Sequence, residues 1–170
     1  VEHEGTAPVD FDGWVAARGP ALLRLARRLT ADPADAEDVV QEALARALVR
    51  WERISRVEDV DAYVTRMVVN AHTSWWRRFR RREQPVPTPE EKGSGAGAAD
   101  DTMAYDERDR LREAVRRLPA EQRVAVVLRY YEQREYAEIA ALTGVREGTV
   151  RSRVSRGIAV LRREWGEQDG

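Results

Sequence analysis

The sequence predicts an all-α protein made of two small helical domains joined by a flexible linker, the second domain carrying a helix-turn-helix. Three observations carry this. Apolar residues recur at helical spacing on both sides of the chain's middle. A Pro- and Gly-rich stretch between them has no periodicity. Near the end, a glycine sits between two short amphipathic segments.

The 170 residues are 42% hydrophobic and 35% charged, a composition suited to folded helical domains rather than a disordered chain. Cysteine is absent, which excludes a disulfide framework and thiolate metal sites. His3 and His72 lack ligand-like spacing, so no metal and no cofactor is expected. No apolar run approaches the ~20 residues of a membrane span, and no signal-peptide core is present. A cytoplasmic chain without membrane insertion is the expectation.

In the first segment Phe11, Trp14, Val15, Leu22, Leu25 and Leu29 make one helical face, and Gly19-Pro20 predicts a kink or a division into two helices. Asp32-Pro33 starts the next helix, from about residue 34 to 51, with Ala36, Val40, Ala43, Leu44, Ala47, Leu48 and Trp51 inward. Acidic residues crowd its first half. The helix dipole accounts for part of that. Asp38, Gln41 and Glu42 also share one exposed face, a patch able to dock a basic partner. Composition does not choose between the two.

A third helix, about 60–81, has Val64, Val68, Ala71, Trp75 and Phe79 on its apolar stripe. Its other face shows Arg66, Asn70, Ser74, Arg77 and Arg81, with Trp76 at the margin near His72 and Arg80. Such a face can hold a nucleic-acid backbone while rings stack on bases, or it can be merely solvated. The net charge is only −1, but the distribution is uneven: residues 77–82 hold five arginines in six. Residues 83–104, with Pro85, Pro87, Pro89, Gly93, Gly95 and Gly97, predict the linker. A coil of about 22 residues has an r.m.s. span of roughly 25 Å against ~34 Å for one DNA turn.

Beyond the linker, helices are expected over about 106–117, with Leu111, Ala114, Val115 and Leu118 inside, and over about 120–131. Two further helices then flank Thr143-Gly144-Val145, where Gly144 supplies a positive φ. Val150, Val154, Ile158 and Leu161 form the stripe of the last helix. Thr149, Arg151, Ser152, Arg153, Ser155 and Arg156 occupy its exposed side as donors to phosphates and base edges. No nucleophile–base pair, metal cluster or phosphate-cradling loop is visible, so no catalytic residue and no enzyme is expected.

The motifs Ala36-Glu-Asp-Val-Val-Gln-Glu42, Ala62-Tyr-Val-Thr-Arg-Met-Val-Val-Asn-Ala71, Ser74-Trp-Trp-Arg-Arg78, Leu118-Pro-Ala-Glu-Gln-Arg123 and Thr149-Val-Arg-Ser-Arg153 occur in one order. Together they resemble bacterial sigma factors of the extracytoplasmic-function (ECF) group, in the actinobacterial sigma-E-like branch of the sigma-70 superfamily. The resemblance implies that residues 10–82 form a region 2-like domain and residues 105–165 a region 4-like domain. It also implies a subunit that binds core RNA polymerase and directs promoter recognition, promoter melting and transcription initiation. Asp38, Gln41 and Glu42 match polymerase-docking positions. Asn70 matches a residue near the pocket for a flipped non-template base. Trp76, Arg77, Arg78, Arg80 and Arg81 lie on or beside the helix that follows the same strand. Thr149, Arg151, Ser152, Arg153, Ser155 and Arg156 match the part that reads the upstream element as duplex. An anti-sigma factor is a further partner class that the resemblance implies without identifying one. Ser74 and Gly157-Ile158 depart from the common pattern, which leaves promoter preference open. The alternative from the residues alone is an autonomous helix-turn-helix regulator, which leaves the Asp38–Glu42 patch without a task. An adaptor that sequesters a regulator leaves the recognition arginines without one.

Overall fold

The computed structural model describes residues 9–80 and 99–166, with side chains described for 9–78 and 106–166. Among these residues every regular element is helical. The first half contains α1 (Phe11–Leu29), α2 (Pro33–Val49), the short α3 (Trp51–Ile54) and α4 (Val60–Arg80). The second half contains α5 (Ala99–Arg117), α6 (Ala120–Val126), a π-helical turn (Val127–Tyr131), α7 (Tyr136–Thr143) and α8 (Glu147–Gly166).

The helix starts follow from local chemistry. Asp10 accepts from the Gly13 amide at 3.2 Å and Asp32 from the Ala34 amide at 2.9 Å, each satisfying an orphan donor of the first turn. Asp59 does the same for the Ala62 amide at 2.8 Å. Of the two outcomes expected at Gly19-Pro20, division into two helices does not occur: α1 runs through Pro20 as one helix. Trp14 on one side of the proline and Leu22, Leu25 and Ala26 on the other are all buried. That shared burial outweighs one lost backbone hydrogen bond.

In the first half, α1, α2 and α4 pack on one another around Trp14, Leu22, Val39, Val40, Val64 and Val68. Phe11 meets Trp51 edge to face at 5.1 Å between centroids, while Trp14 donates from Nε1 to Asp61 at 3.0 Å and Trp51 from Nε1 to the Val9 carbonyl at 2.8 Å. Small residues Ala36, Ala43 and Ala47 let α2 approach closely. They take the inner line of that helix, so Leu48, expected inside, is 55% exposed. Leu111, also expected inside, is 39% exposed at the outer edge of α5.

The second half is built around Val115, Leu118, Val124, Leu128, Ile139, Val150, Val154 and Leu161. Gly144 has φ +71° and its amide donates to the Ala140 carbonyl at 2.9 Å, closing α7 as the spacing predicts. At the start of α7 the Glu135 amide donates to the Glu138 carboxylate at 2.8 Å, half of a capping box. Gly157 is required for a different reason. A Cβ there would stand 2.7 Å from Cγ2 of Val126, so its absence lets α8 press against α6.

The helix α5 begins at Ala99, inside the stretch expected as linker; the remainder of that stretch lies outside the described residues. The two halves pack together. Leu25, Leu29 and Val69 of the first half belong to the apolar cluster of the second, and α4 touches α7 while α1 touches α5 and α6.

Candidate nucleic-acid interface

The acidic face of α2 stands where the spacing puts it. Asp38 and Gln41 are exposed and Glu42 is half-buried. Glu42 is engaged within the molecule: Arg46 donates to it at 2.7 Å and Arg78 at 3.3 Å. The structure thus joins one residue of the acidic patch to one of the arginines expected to follow DNA. Both arginines are more than half exposed, so water and ions screen these pairs, worth ~0–1 kcal/mol each.

Asn70 is exposed on α4 and lines an open hollow of about 650 Å³ between α2 and α4. Ala45, Arg46, Val49, Arg50, Tyr63, Arg66 and Met67 complete the lining. The hollow therefore offers an aromatic ring, a thioether and three guanidinium groups around one amide, a set able to take a flat polar ring and hold its phosphate. Sequence reasoning singled out Asn70 without Tyr63, Val49 and Arg50. The last two come from the end of α2 and were visible only once α2 and α4 were paired. Val49 is 85% exposed, a large exposed apolar group at the rim.

Farther along α4, Trp76 and Arg77 line a narrow cleft of about 70 Å³ that runs between the halves. His72, Glu121, Thr143 and Arg153 are also on its wall. Trp76 is half-buried there and Arg77 exposed. Arg81 and the side chain of Arg80 lie outside the described residues.

Beneath this cleft is a polar arrangement that the spacing of residues does not reveal. Arg123, at the start of the second half's central helix, is 5% exposed. Its Nε donates to the Leu29 carbonyl at 2.7 Å, and Nη1 donates to the Arg116 carbonyl at 2.8 Å and to the Leu118 carbonyl at 3.3 Å. The first bond crosses between the halves. The other two satisfy carbonyls left over where α5 ends. His72 is buried as well, and its Nδ1 has no hydrogen-bond partner among the described residues. Burial, and secondarily the charge of Arg123, lowers its pKa to about 4. The ring is therefore neutral at pH 7.

On α8 the exposed donors are Thr149, Arg151, Ser152, Ser155 and Arg156. Arg151 is positioned by Glu147 at 2.7 Å and lies over the Tyr136 ring at 4.3 Å, a cation–π contact that holds its fork in place. The Ser152 hydroxyl donates to the Gly148 carbonyl at 3.1 Å, leaving its lone pairs outward. Arg153 differs from its expected placement. It is turned toward α6 and the wall of the cleft, its side chain only 22% exposed, and pairs with Glu121 of its own half at 3.4 Å. The reason is angular: Arg153 stands three residues after buried Val150 and four before buried Gly157, on the side of α8 that packs on α6. Among the described residues there is no cluster of side chains able to hold a metal ion and no helix long and apolar enough to cross a membrane.

Comparison with known proteins matches residues 14–83 to sigma-70 region 2 and residues 108–161 to sigma-70 region 4. The RNA polymerase sigma-E factor of Streptomyces avermitilis is 40% identical over 161 residues, covering 95% of this chain and 88% of that protein. The ECF RNA polymerase sigma factor SigL of Mycobacterium tuberculosis is 33% identical over 145 residues, covering 83% and 80% respectively. Among solved structures, the sigma factor RpoE in complex with the anti-sigma factor NepR from Bartonella quintana superposes with a TM-score of 0.69 at 25% identity, over 91% of this chain and 95% of that one. With both helical regions matched in order and relatives aligned along nearly the whole length, the chain belongs to the sigma-70 superfamily as an extracytoplasmic-function sigma factor of the sigma-E-like branch, a protein that directs transcription initiation.

Proposed function

We propose that the two halves divide promoter recognition between them and that the first half also docks core RNA polymerase. In this reading Asp38, Gln41 and Glu42 on α2 meet a basic surface of the polymerase. Asn70 and the hollow around it receive a base flipped from the non-template strand, and Trp76, Arg77 and Arg78, with Arg80 and Arg81, track that strand. Thr149, Arg151, Ser152, Ser155 and Arg156 on α8 read the upstream element as duplex, with Arg153 at its edge. The chain carries out no catalysis of its own.

The hollow at Asn70 is the observation that supports this reading most. It lies on the same helix as Trp76 and Arg77, and Arg50 and Arg66 stand on its lining to hold a phosphate. Unstacking a base costs a few kcal/mol, which a fitted pocket offsets. Phosphate contacts supply affinity and make it salt-sensitive, while each good bidentate base contact from α8 adds ~1–3 kcal/mol of discrimination. An anti-sigma factor, the partner in the complex of the Bartonella neighbour, belongs to the same proposal.

Run-off transcription with core polymerase, with and without the chain, tests the assignment. Promoter-dependent transcripts are expected only when both are present. A Glu42→Lys variant that folds normally and still co-purifies with polymerase would remove Glu42 from the docking role.

A further inference from the structure

A further concavity lies at the junction between the halves, lined by none of the residues of the cleft at Trp76. Its volume is about 340 Å³, and its walls carry Arg24, Arg27 and Arg28 of α1, Arg112 and Arg116 of α5, and Tyr131 of the π-helical turn. Five guanidinium groups from segments far apart in sequence therefore share one small hollow. The ordinary explanation covers part of this. Arg27 and Arg28 stand in the last turn of α1 and Arg116 in that of α5, where helix dipoles favour cations. It does not cover Arg24 and Arg112, which are farther from the helix ends, or the convergence of both helices on one spot.

The charge is only partly compensated. Arg28 is near Glu132 at 3.6 Å, Arg112 near Asp109 at 3.2 Å and Arg116 near Glu113 at 3.7 Å. Among the described residues, neither Arg24 nor Arg27 has a carboxylate partner. Like charges from the two halves thus face each other when the halves are packed. An anion in the hollow turns that repulsion into attraction.

We propose that this hollow is a binding site for a compact polyphosphate anion, held by arginines of both halves at once. Guanidinium forks match phosphate oxygens two at a time, and several of them call for more charge than a single phosphate carries. The shape favours a small ligand over duplex DNA, since the arginines surround one point instead of following a line. A volume near 340 Å³ is at the lower end of ligand pockets, about 300–1,000 Å³. The phosphate chain is the recognised part. One face of the Tyr131 ring is already covered by Arg28, 4.8 Å from its centroid, which leaves less of it for a nucleobase than the arginines leave for phosphate. Because only the packed arrangement assembles the site, the ligand favours that arrangement by its differential affinity.

The test is calorimetric titration of the full chain with inorganic tripolyphosphate and, separately, with a nucleoside triphosphate, at matched ionic strength. Saturable binding of both with similar affinity is expected. Two double variants, Arg24→Gln with Arg27→Gln and Arg112→Gln with Arg116→Gln, are each expected to weaken it about ten-fold, equivalent to ~1.4 kcal/mol. Unchanged helical content and melting behaviour without ligand establish that both variants fold. Loss in only one of the two variants overturns a site shared by the halves. Chloride at equal ionic strength abolishing the heat, or binding that requires the base, overturns the polyphosphate assignment. So does a short duplex that binds the chain more tightly than tripolyphosphate and loses affinity in both variants, which makes the arginines a DNA-backbone surface.

Discussion

The two helices assigned to DNA sit in unlike surroundings. On α8 the donors Thr149, Ser152, Ser155 and Arg156 are exposed, and only Arg153 is turned inward to Glu121. At the end of α4, by contrast, Trp76 is half-buried in the cleft between the halves, and Arg78 is held by Glu42. The same residue types, arginine beside aromatic, thus belong to an open surface in one place and to an interface in the other. The difference comes from what lies beneath. The floor under α8 is apolar, Val150 and Val154. The floor near Trp76 contains Arg123 and the neutral His72, which make the contact between the halves polar and sensitive to small changes.

Removing Arg123 is expected to have the largest effect. Arg123→Ala leaves the carbonyls of Leu29, Arg116 and Leu118 without their donor and should cost about 3 kcal/mol in urea denaturation. Arg123→Lys, which keeps the charge but not the planar fork, should recover only part of this. A change of less than ~0.5 kcal/mol, the range of ordinary surface substitutions, would remove Arg123 from its place as the polar centre of the junction.

Acid should act next in order. His72 has its pKa lowered to about 4 from the ordinary histidine value of 6.5, so the unfolded or separated state binds the proton more readily than the packed one. The stabilising contribution is therefore complete above the higher value and is lost as pH falls through this window, by on the order of 2–3 kcal/mol. The charged groups that face it are Arg123 below, whose charge is already part of this lowering, and Arg77, Arg153 and Glu121 along the cleft. Thermal melts of wild type and His72→Leu between these pH values check the sign: only the wild type should lose stability on acidification through His72.

A smaller effect is expected at Gly157. Alanine is the better helix former, by about 1 kcal/mol, but its Cβ would meet Val126 at 2.7 Å, and overpacking of this kind costs ~1–3 kcal/mol. Gly157→Ala should therefore lower the melting temperature, and adding Val126→Ala should cost less than the sum of the single changes. Strict additivity would show that α8 does not press on α6 here. Least of all, Arg78→Ala should change stability by less than ~1 kcal/mol, because Glu42 keeps Arg46 at 2.7 Å.

Much of this organisation was legible in the residues. Of the stripe on α8, Val150, Val154 and Leu161 are buried and Ile158 is partly buried against them, Gly144 has the positive φ assigned to it, and Asp32-Pro33 opens α2. These features depend on local geometry, which sequence spacing records directly. What was not legible depends on which surfaces meet. Arg123 ends one of the motifs that carry the family resemblance, yet its burial follows from α1 delivering the Leu29 carbonyl to it, a partner 94 positions away. Arg153 reads as one more exposed donor until α6 packs beside α8 and brings Glu121 to it. Pro20 was expected to interrupt α1, because the burial holding both sides of that helix together is tertiary. The lining of the hollow at Asn70 escaped for a similar reason: Val49 and Arg50 join Tyr63 and Asn70 only through the pairing of α2 with α4.

Permanganate footprinting of a promoter selected by run-off tests the central assignment most directly. Core polymerase with the wild-type chain should expose unpaired thymines at the downstream element, and polymerase alone should not. Asn70→Ala should reduce that reactivity while leaving protection of the upstream element intact. Equal thymine reactivity with Asn70→Ala, or opening by polymerase without the chain, would contradict the account.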